Sequence, residues 1–510
     1  MITVIVAVIV IYAVYLFGTS TYNYWLNKGI KHYKPIPFFG SNFRVVSGKM
    51  SITEMFTEAY WKYPNEKAVG LYFEGQRPVL VVRDLEIVKR VLVTDFANFY
   101  SRGLNIRKDA IEPMVKNLFF VDGDLWKLLR QRMTPAFTSG KLKAMFPLIV
   151  ERAEKLQSRA LSAAAANKPI DARDLMARYT TDFIGACGFG LDADSLNDED
   201  SAFRKLGAKI FKPDFATIVK MVLKTVLPDL FKHLKILGKV EVEINALVHE
   251  ILTQRNYEPS GRNDFIDLLL ECRKKGLMVG ESIEKRNAEG IPEKVSMELD
   301  EALIAAQVFV FFAAGFETSS SATSYTLHQL AFNPEVQKKV QDDVDRVLIK
   351  YNNKLCYDAI KEMTYLECAF KEGMRIFPSL GFLLRECTAK SEIPELGIFL
   401  DEGIRVAIPL QAIQTDPQYF DNPKEYRPER FMEDTNGNKF EYIPFGAGPR
   451  TCIGERLGLM QSLAGLAAVM ARFTVKPAPT TQRWPAVDPR GGIVQVVKDG
   501  LPLMFEERVK

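Results

Sequence analysis

The sequence predicts a mainly α-helical fold with a minor β-sheet region, preceded by an N-terminal transmembrane helix. Three observations lead there. Met1 to Phe17 form an uncharged apolar run, and long helical patterns dominate from about Leu85 to Tyr365. Two short stretches, Val69 to Phe73 and Val79 to Val82, read as paired strands turning at Gly75.

The apolar run, MITVIVAVIVIYAVYLF, continues through the small polar stretch Gly18 to Thr21 and reaches about one bilayer span. Tyr22, Tyr24 and Trp25 follow as an aromatic belt, then Lys28, Lys31 and Lys34 on the same side. That order suits an uncleaved signal anchor, residues 1–25, whose basic flank stays cytoplasmic. No positive n-region precedes the run and no A-x-A pattern closes it, which weighs against a cleaved signal peptide. Residues 26–45 read as a Pro-containing hinge, because Pro35 and Pro37 forbid helix continuation and stiffen the exit from the membrane. Beyond it there is no internal repeat and no low-complexity linker, so residues 46–510 make one large domain. Glu281 to Lys294 reads as a charged stretch between helical patterns. The segment 206–237, with Phe211, Phe215, Val222, Leu223 and Leu227, suits a second membrane contact or burial against the core.

Composition narrows the function classes. Lys and Arg number 67 against 63 Asp and Glu, a net charge of +4 that makes no general electrostatic case for nucleic-acid binding. Six cysteines are scattered without a CxxC pair, which favours a reducing compartment. His32, His233, His249 and His328 never reach chelating spacing, so a zinc enzyme is not expected.

The most specific segment is Phe445-Gly446-Ala447-Gly448-Pro449-Arg450-Thr451-Cys452-Ile453-Gly454, which opens a helix at Glu455. A thiol at a helix start gains from backbone N–H groups and the helix dipole, which lower its pKa. Gly446, Gly448 and Gly454 permit positive φ and close approach to a flat group, and Phe445 can shield the sulfur from water. This decapeptide resembles the haem-binding loop of cytochrome P450, matching FxxGxRxCxG at every fixed position. The resemblance extends over essentially the whole chain, in texture nearest to insect microsomal, xenobiotic-metabolising members.

The resemblance implies the cytochrome P450 fold, with 46–510 as a haem-thiolate catalytic domain. Cys452 becomes the axial ligand of haem b, and Arg450 a partner of a haem propionate. Trp126 and Arg130, spaced i,i+4 in WKLLR, put an indole donor and a guanidinium on one helix side and fit the propionate-binding helix. Arg385 resembles a further propionate partner. Glu372 and Arg375 form ExxR, and Pro428-Glu429-Arg430-Phe431 supplies Arg430 to a buried Glu–Arg–Arg network that is structural.

Ala313-Ala314-Gly315-Phe316-Glu317-Thr318-Ser319 resembles the family's oxygen-binding segment. Thr318 is then the alcohol that bonds bound oxygen, and Glu317 the acid that relays protons from the surface. An acid–alcohol pair points to a monooxygenase rather than a haem-thiolate isomerase. Family layout makes Phe119, Phe120, Phe311, Phe312, Ala314 and Leu380 to Leu383 candidate pocket walls, with Gly491 to Val494 as a last wall. No GxGxxG fingerprint follows a strand, so electrons are expected from NADPH through a separate cytochrome P450 reductase, with cytochrome b5 as a second partner. Lys127, Arg132 and Arg456 are candidates for its docking face. The implied substrate is a lipophilic plant toxin or insecticide, hydroxylated or epoxidised with one oxygen atom at the endoplasmic reticulum membrane. The alternative is a dedicated hydroxylase of an endogenous hormone or lipid.

Overall fold

The computed structural model describes residues 2–509 apart from 75, 106–108, 192–193, 199–200, 212–213, 227–228, 263 and 433–439. Gly75 and Leu227 therefore lie outside the described residues, as do the side chains of Phe211 and Val222.

The expected anchor is a helix, Ile2–Thr19, exposed from Ile2 to Phe17, with Gly18 buried and Thr19 half-buried. Its length and composition fit a membrane anchor. The aromatic belt does something different from expectation. Trp25 is fully buried on Gly70 and donates Nε1 to Leu71 O at 2.9 Å. Tyr24 donates to Asp401, and Tyr22 to Ile36 O. Trp25 is thereby part of the core, while the two tyrosines are half-buried with fixed hydrogen-bond partners.

The strands form where expected, Ala68–Phe73 and Arg77–Val82, as an antiparallel pair in which Val69 faces Val81. Arg405–Ile408 joins parallel to the second strand, and Leu383–Glu386 closes the sheet antiparallel to it. Side chains from its two faces enter separate clusters, one around Tyr60, Leu80 and Val406, the other around Phe56, Val81 and Phe382.

The helical body is organised by Glu301–Phe332, which begins at an Asp300 cap accepting from Leu303 N at 2.7 Å. It is apolar enough to cross a membrane but mostly buried, a core helix rather than a span. It packs against Ala172–Ile184, Thr364–Ile376 and Glu455–Arg472.

Between the helices the charged stretch is a β-hairpin, Met278–Arg286 with Pro292–Met297. Its charges face solvent and mask the strand pattern, while Met278 and Ser282 are buried. Ser282 Oγ and Ile283 N donate to Asp124, docking the hairpin on the helix Gly123–Met133. In 206–237 the helix Phe215–Val226 leaves Phe215, Ile218 and Val219 exposed, while Leu206 is buried and Leu223 half-buried.

Candidate active site

The cysteine loop folds on itself. Cys452 N donates to Phe445 O at 2.9 Å, and Gly446 N to Ile443 O at 2.8 Å. Gly446 and Gly448 have φ of 76° and 71°. At Gly448 a Cβ would stand 1.9 Å from Leu92 O, so no side chain fits. The turn delivers Cys452 to the wall of a cavity of about 290 Å³.

The thiol's electrostatics differ from the sequence expectation. Burial raises the Cys452 pKa, the Gly454 N–H lowers it, Glu455 raises it, and Arg102 and Arg130 lower it. Desolvation by the surrounding protein is the largest of these causes, ahead of the N–H at the helix start.

Beside the cysteine, the cavity is lined by Arg102, Trp126, Arg130, Arg385 and the loop's own Arg450. Arg450, stacked 4.3 Å over Trp126, donates to Asp122 at 2.7 Å and to Val121 O at 3.0 Å. Its Nε and Nη1 are buried without partners among the described residues, as is Arg385 Nε. Arg130 spends one donor on Thr451 O at 2.8 Å. Burial pushes Arg385 down to about 9 and Arg102 to about 10, and drives Arg450 well below its ordinary value. Guanidiniums desolvated together with orphaned N–H groups call for additional anionic acceptors. A flat macrocycle with a central metal and two carboxylates meets the thiol and the arginines at once, so these residues fit haem. Arg102 escaped the sequence analysis because it sits in no motif. It reaches the rim through the bridge between Ser101 and Glu386, a contact between distant segments.

On the other side the long helix presents Val310, Phe311, Ala314, Gly315, Thr318 and Ala322. These positions share one face at i, i+4, i+8 spacing. Phe312 is therefore not a wall: it packs fully buried between Phe189, Phe203 and Phe316. Phe119, Leu380 and Leu383 line the cavity, whereas Phe120 turns away and stacks edge-on against Phe119. Phe137, Phe183, Ile184 and, from the expected last wall, Ile493 line it as well. Helical periodicity around Thr318 was the available signal for choosing Phe311 over Phe312.

Thr318 Oγ1 faces the cavity and donates to Ala314 O at 2.6 Å. Glu317 does not join it. Its carboxylate is buried on the far side of the helix in an ion pair with Arg173.

Behind the cavity, Arg375 is fully buried and donates Nε and Nη2 to Glu372 at 2.7 and 2.9 Å. Arg430 Nε reaches the same carboxylate at 3.3 Å. The expected network is thus assembled, with Arg427 N as an additional donor at 3.0 Å. Of the expected docking cations, Arg132 binds Cys272 O and Leu277 O, and Arg456 binds Ser139.

Comparison with known proteins agrees with this geometry. The family model for cytochrome P450 matches residues 31–503. Cytochrome P450 6B6 of Helicoverpa armigera is 35% identical over 489 residues, covering 95% of this chain and 94% of the relative. Probable cytochrome P450 6a13 of Drosophila melanogaster is 37% identical over 469 residues, 90% of each chain, and cytochrome P450 6d1 of Musca domestica is 33% identical over 480 residues, 91% of this chain and 92% of the relative. Cysteine loop, arginine rim and family match converge: the chain belongs to the cytochrome P450 family of haem-thiolate monooxygenases.

Proposed function

We propose that the protein inserts one oxygen atom from dioxygen into a lipophilic xenobiotic of the plant-toxin or insecticide kind. Electrons come from NADPH through a membrane-bound cytochrome P450 reductase, with cytochrome b5 as a second donor. The anchor holds it on the endoplasmic reticulum with residues 46–510 on the cytoplasmic side. The carrying observation is the apolar chamber beside Cys452, walled by Phe119, Phe311, Ala314, Leu380, Phe382 and Leu383.

Bound haem with a thiolate ligand supplies the redox centre for dioxygen activation. The chain's residues do the rest. Cys452 would hold the iron, and Trp126, Arg102, Arg130, Arg385 and Arg450 would hold the propionates. Phe445 and Gly446 cover the sulfur side and exclude water. Thr318 places its hydroxyl on the cavity face, resting on Ala314 O, as the alcohol beside the reacting site, whereas Glu317 is held on the far side of the helix by Arg173 and does not share that role.

A carbon monoxide difference spectrum of the reduced protein tests the thiolate. The red-shifted band of the family must be present, and Cys452→Ala must abolish it. A binding screen over lipophilic xenobiotics and endogenous lipids tests the substrate class: many moderate xenobiotic ligands are expected, and one tight endogenous lipid would overturn it.

A further inference from the structure

Ser379 and Gln495 belong to no motif, yet they join the walls that meet beside Thr318. The Ser379 hydroxyl lines the cavity and donates to Thr318 O at 2.8 Å. Thr318's own hydroxyl is bonded one turn back, to Ala314 O. Both the side chain and the peptide of Thr318 are therefore held.

Ser379 is held in turn. Its carbonyl accepts from Gln495 N at 2.8 Å. Gln495 is 3% exposed and donates Nε2 to Pro378 O at 2.8 Å and to Gln411 Oε1 at 3.0 Å. Its carbonyl accepts from Ser321 Oγ, on the long helix, at 3.4 Å. Gln411 returns to the same segment through Ile376 O at 2.9 Å. Leu380 and Ile493, which face the cavity, flank this lattice, and Leu380 bridges Val494.

Apolar packing between these segments would tolerate small slips. Buried amides do not, because a slip strands donors and acceptors away from water. The lattice therefore fixes the long helix, the 378–380 segment and the 493–495 segment relative to one another.

We infer that Ser379 and Gln495 are positioning residues: Ser379 sets the Thr318 peptide, and Gln495 sets Ser379 and the Leu380–Ile493 wall. Ser379 then governs how much reduced oxygen reaches product rather than leaving as peroxide, and Gln495 governs which substrate atom is presented. The coupling half rests on the proposed role of Thr318, and the wall half does not.

The test uses the full-length, haem-loaded enzyme with its reductase and a lipophilic substrate that gives two regioisomeric products. Ser379→Ala is expected to raise the peroxide-to-product ratio about 2- to 10-fold, the loss of one hydrogen bond. Ser379→Thr, which keeps the hydroxyl, restores the ratio. In a Thr318→Ala background Ser379→Ala adds nothing further, since both act on one turn. Gln495→Leu shifts the regioisomer ratio and speeds amide hydrogen exchange at 379–381 and 493–496. A wild-type ratio in Ser379→Ala, when Thr318→Ala does uncouple, overturns the inference while sparing the Thr318 reading. Wild-type coupling in Thr318→Ala refutes that reading and the coupling half with it, leaving the regioisomer ratio to decide the wall half. Equal defects in the Ala and Thr variants would reduce Ser379 to packing and overturn its role. If Gln495→Leu does not fold, the Ser379 pair carries the decision.

Discussion

Replacing Glu372 by Ala removes the acceptor of Arg375 Nε and Nη2, Arg430 Nε and Arg427 N in a single step. Arg375 is left fully buried with the carbonyls of Gln414, Pro423 and Glu425 but no counter-charge. An uncompensated buried charge costs about 3–5 kcal/mol, set against a total stability of about 5–15 kcal/mol. The folded-to-unfolded ratio is thus expected to fall by roughly two to four decades, at 1.4 kcal/mol per decade. Asp421 is the control. It pairs with Arg427 and Arg430 but is 67% exposed, so Asp421→Ala is expected to cost no more than about 1 kcal/mol. An apolar swap, Glu372→Leu with Arg375→Met, often rescues a buried pair elsewhere. Here it strands those backbone carbonyls, at about 1–3 kcal/mol per unsatisfied acceptor, so the double variant stays well below wild type. Urea midpoints of the haem-loaded protein, with the yield of the carbon monoxide band as a second readout, measure all of these. Glu372→Ala within about 1 kcal/mol of wild type, or a double variant of full stability, would refute the reasoning.

Deleting residues 2–19 is expected to release the protein from membranes with little change in the urea midpoint, whereas Trp25→Ala costs about 3–5 kcal/mol because that ring is wholly buried on the sheet. Equal stability of Trp25→Ala and wild type would return the ring to the membrane interface. His328 is pushed down to about 4 by burial, against the opposing bond to Arg483 O, from an ordinary 6.5. The unfolded chain therefore takes up a proton between pH 6.5 and 4 that the folded one refuses, and stability present above 6.5 is lost on acidification, by about 3 kcal/mol at pH 4. His328→Phe should flatten that limb of a stability-versus-pH curve, and an unchanged slope would exclude the residue. Gly448→Ala sets a Cβ against Leu92 O at φ 71°, so haem content should drop sharply, and full occupancy would show that the loop relaxes.

Motif residues were legible because their chemistry demands particular atoms at short spacing. Cys452 and its glycines, ExxR, WKLLR and the Thr318 turn each lie within one loop or one helix face, and the structure sets each of them where the spacing places it. The β-hairpin at 278–297 was not legible, because its outward charges hide the alternation and its inward side chains, Met278 and Ser282 with the half-buried Ile283, Val295 and Met297, are few and unevenly spaced. Glu317 and Thr318 are adjacent in sequence, yet a helix turns consecutive side chains about 100° apart, so one meets Arg173 and the other the cavity.

By itself the sequence determined the apolar N-terminal helix, the mainly helical class, the cysteine loop and the family, because local patterns and contiguous motifs carry them. Only the tertiary structure decided which arginines meet at the rim, that Trp25 belongs to the core, and that Ser379 bonds the Thr318 carbonyl while Gln495 bonds Ser379. Each of those depends on segments far apart in the chain being desolvated together, a condition that long-range packing alone imposes.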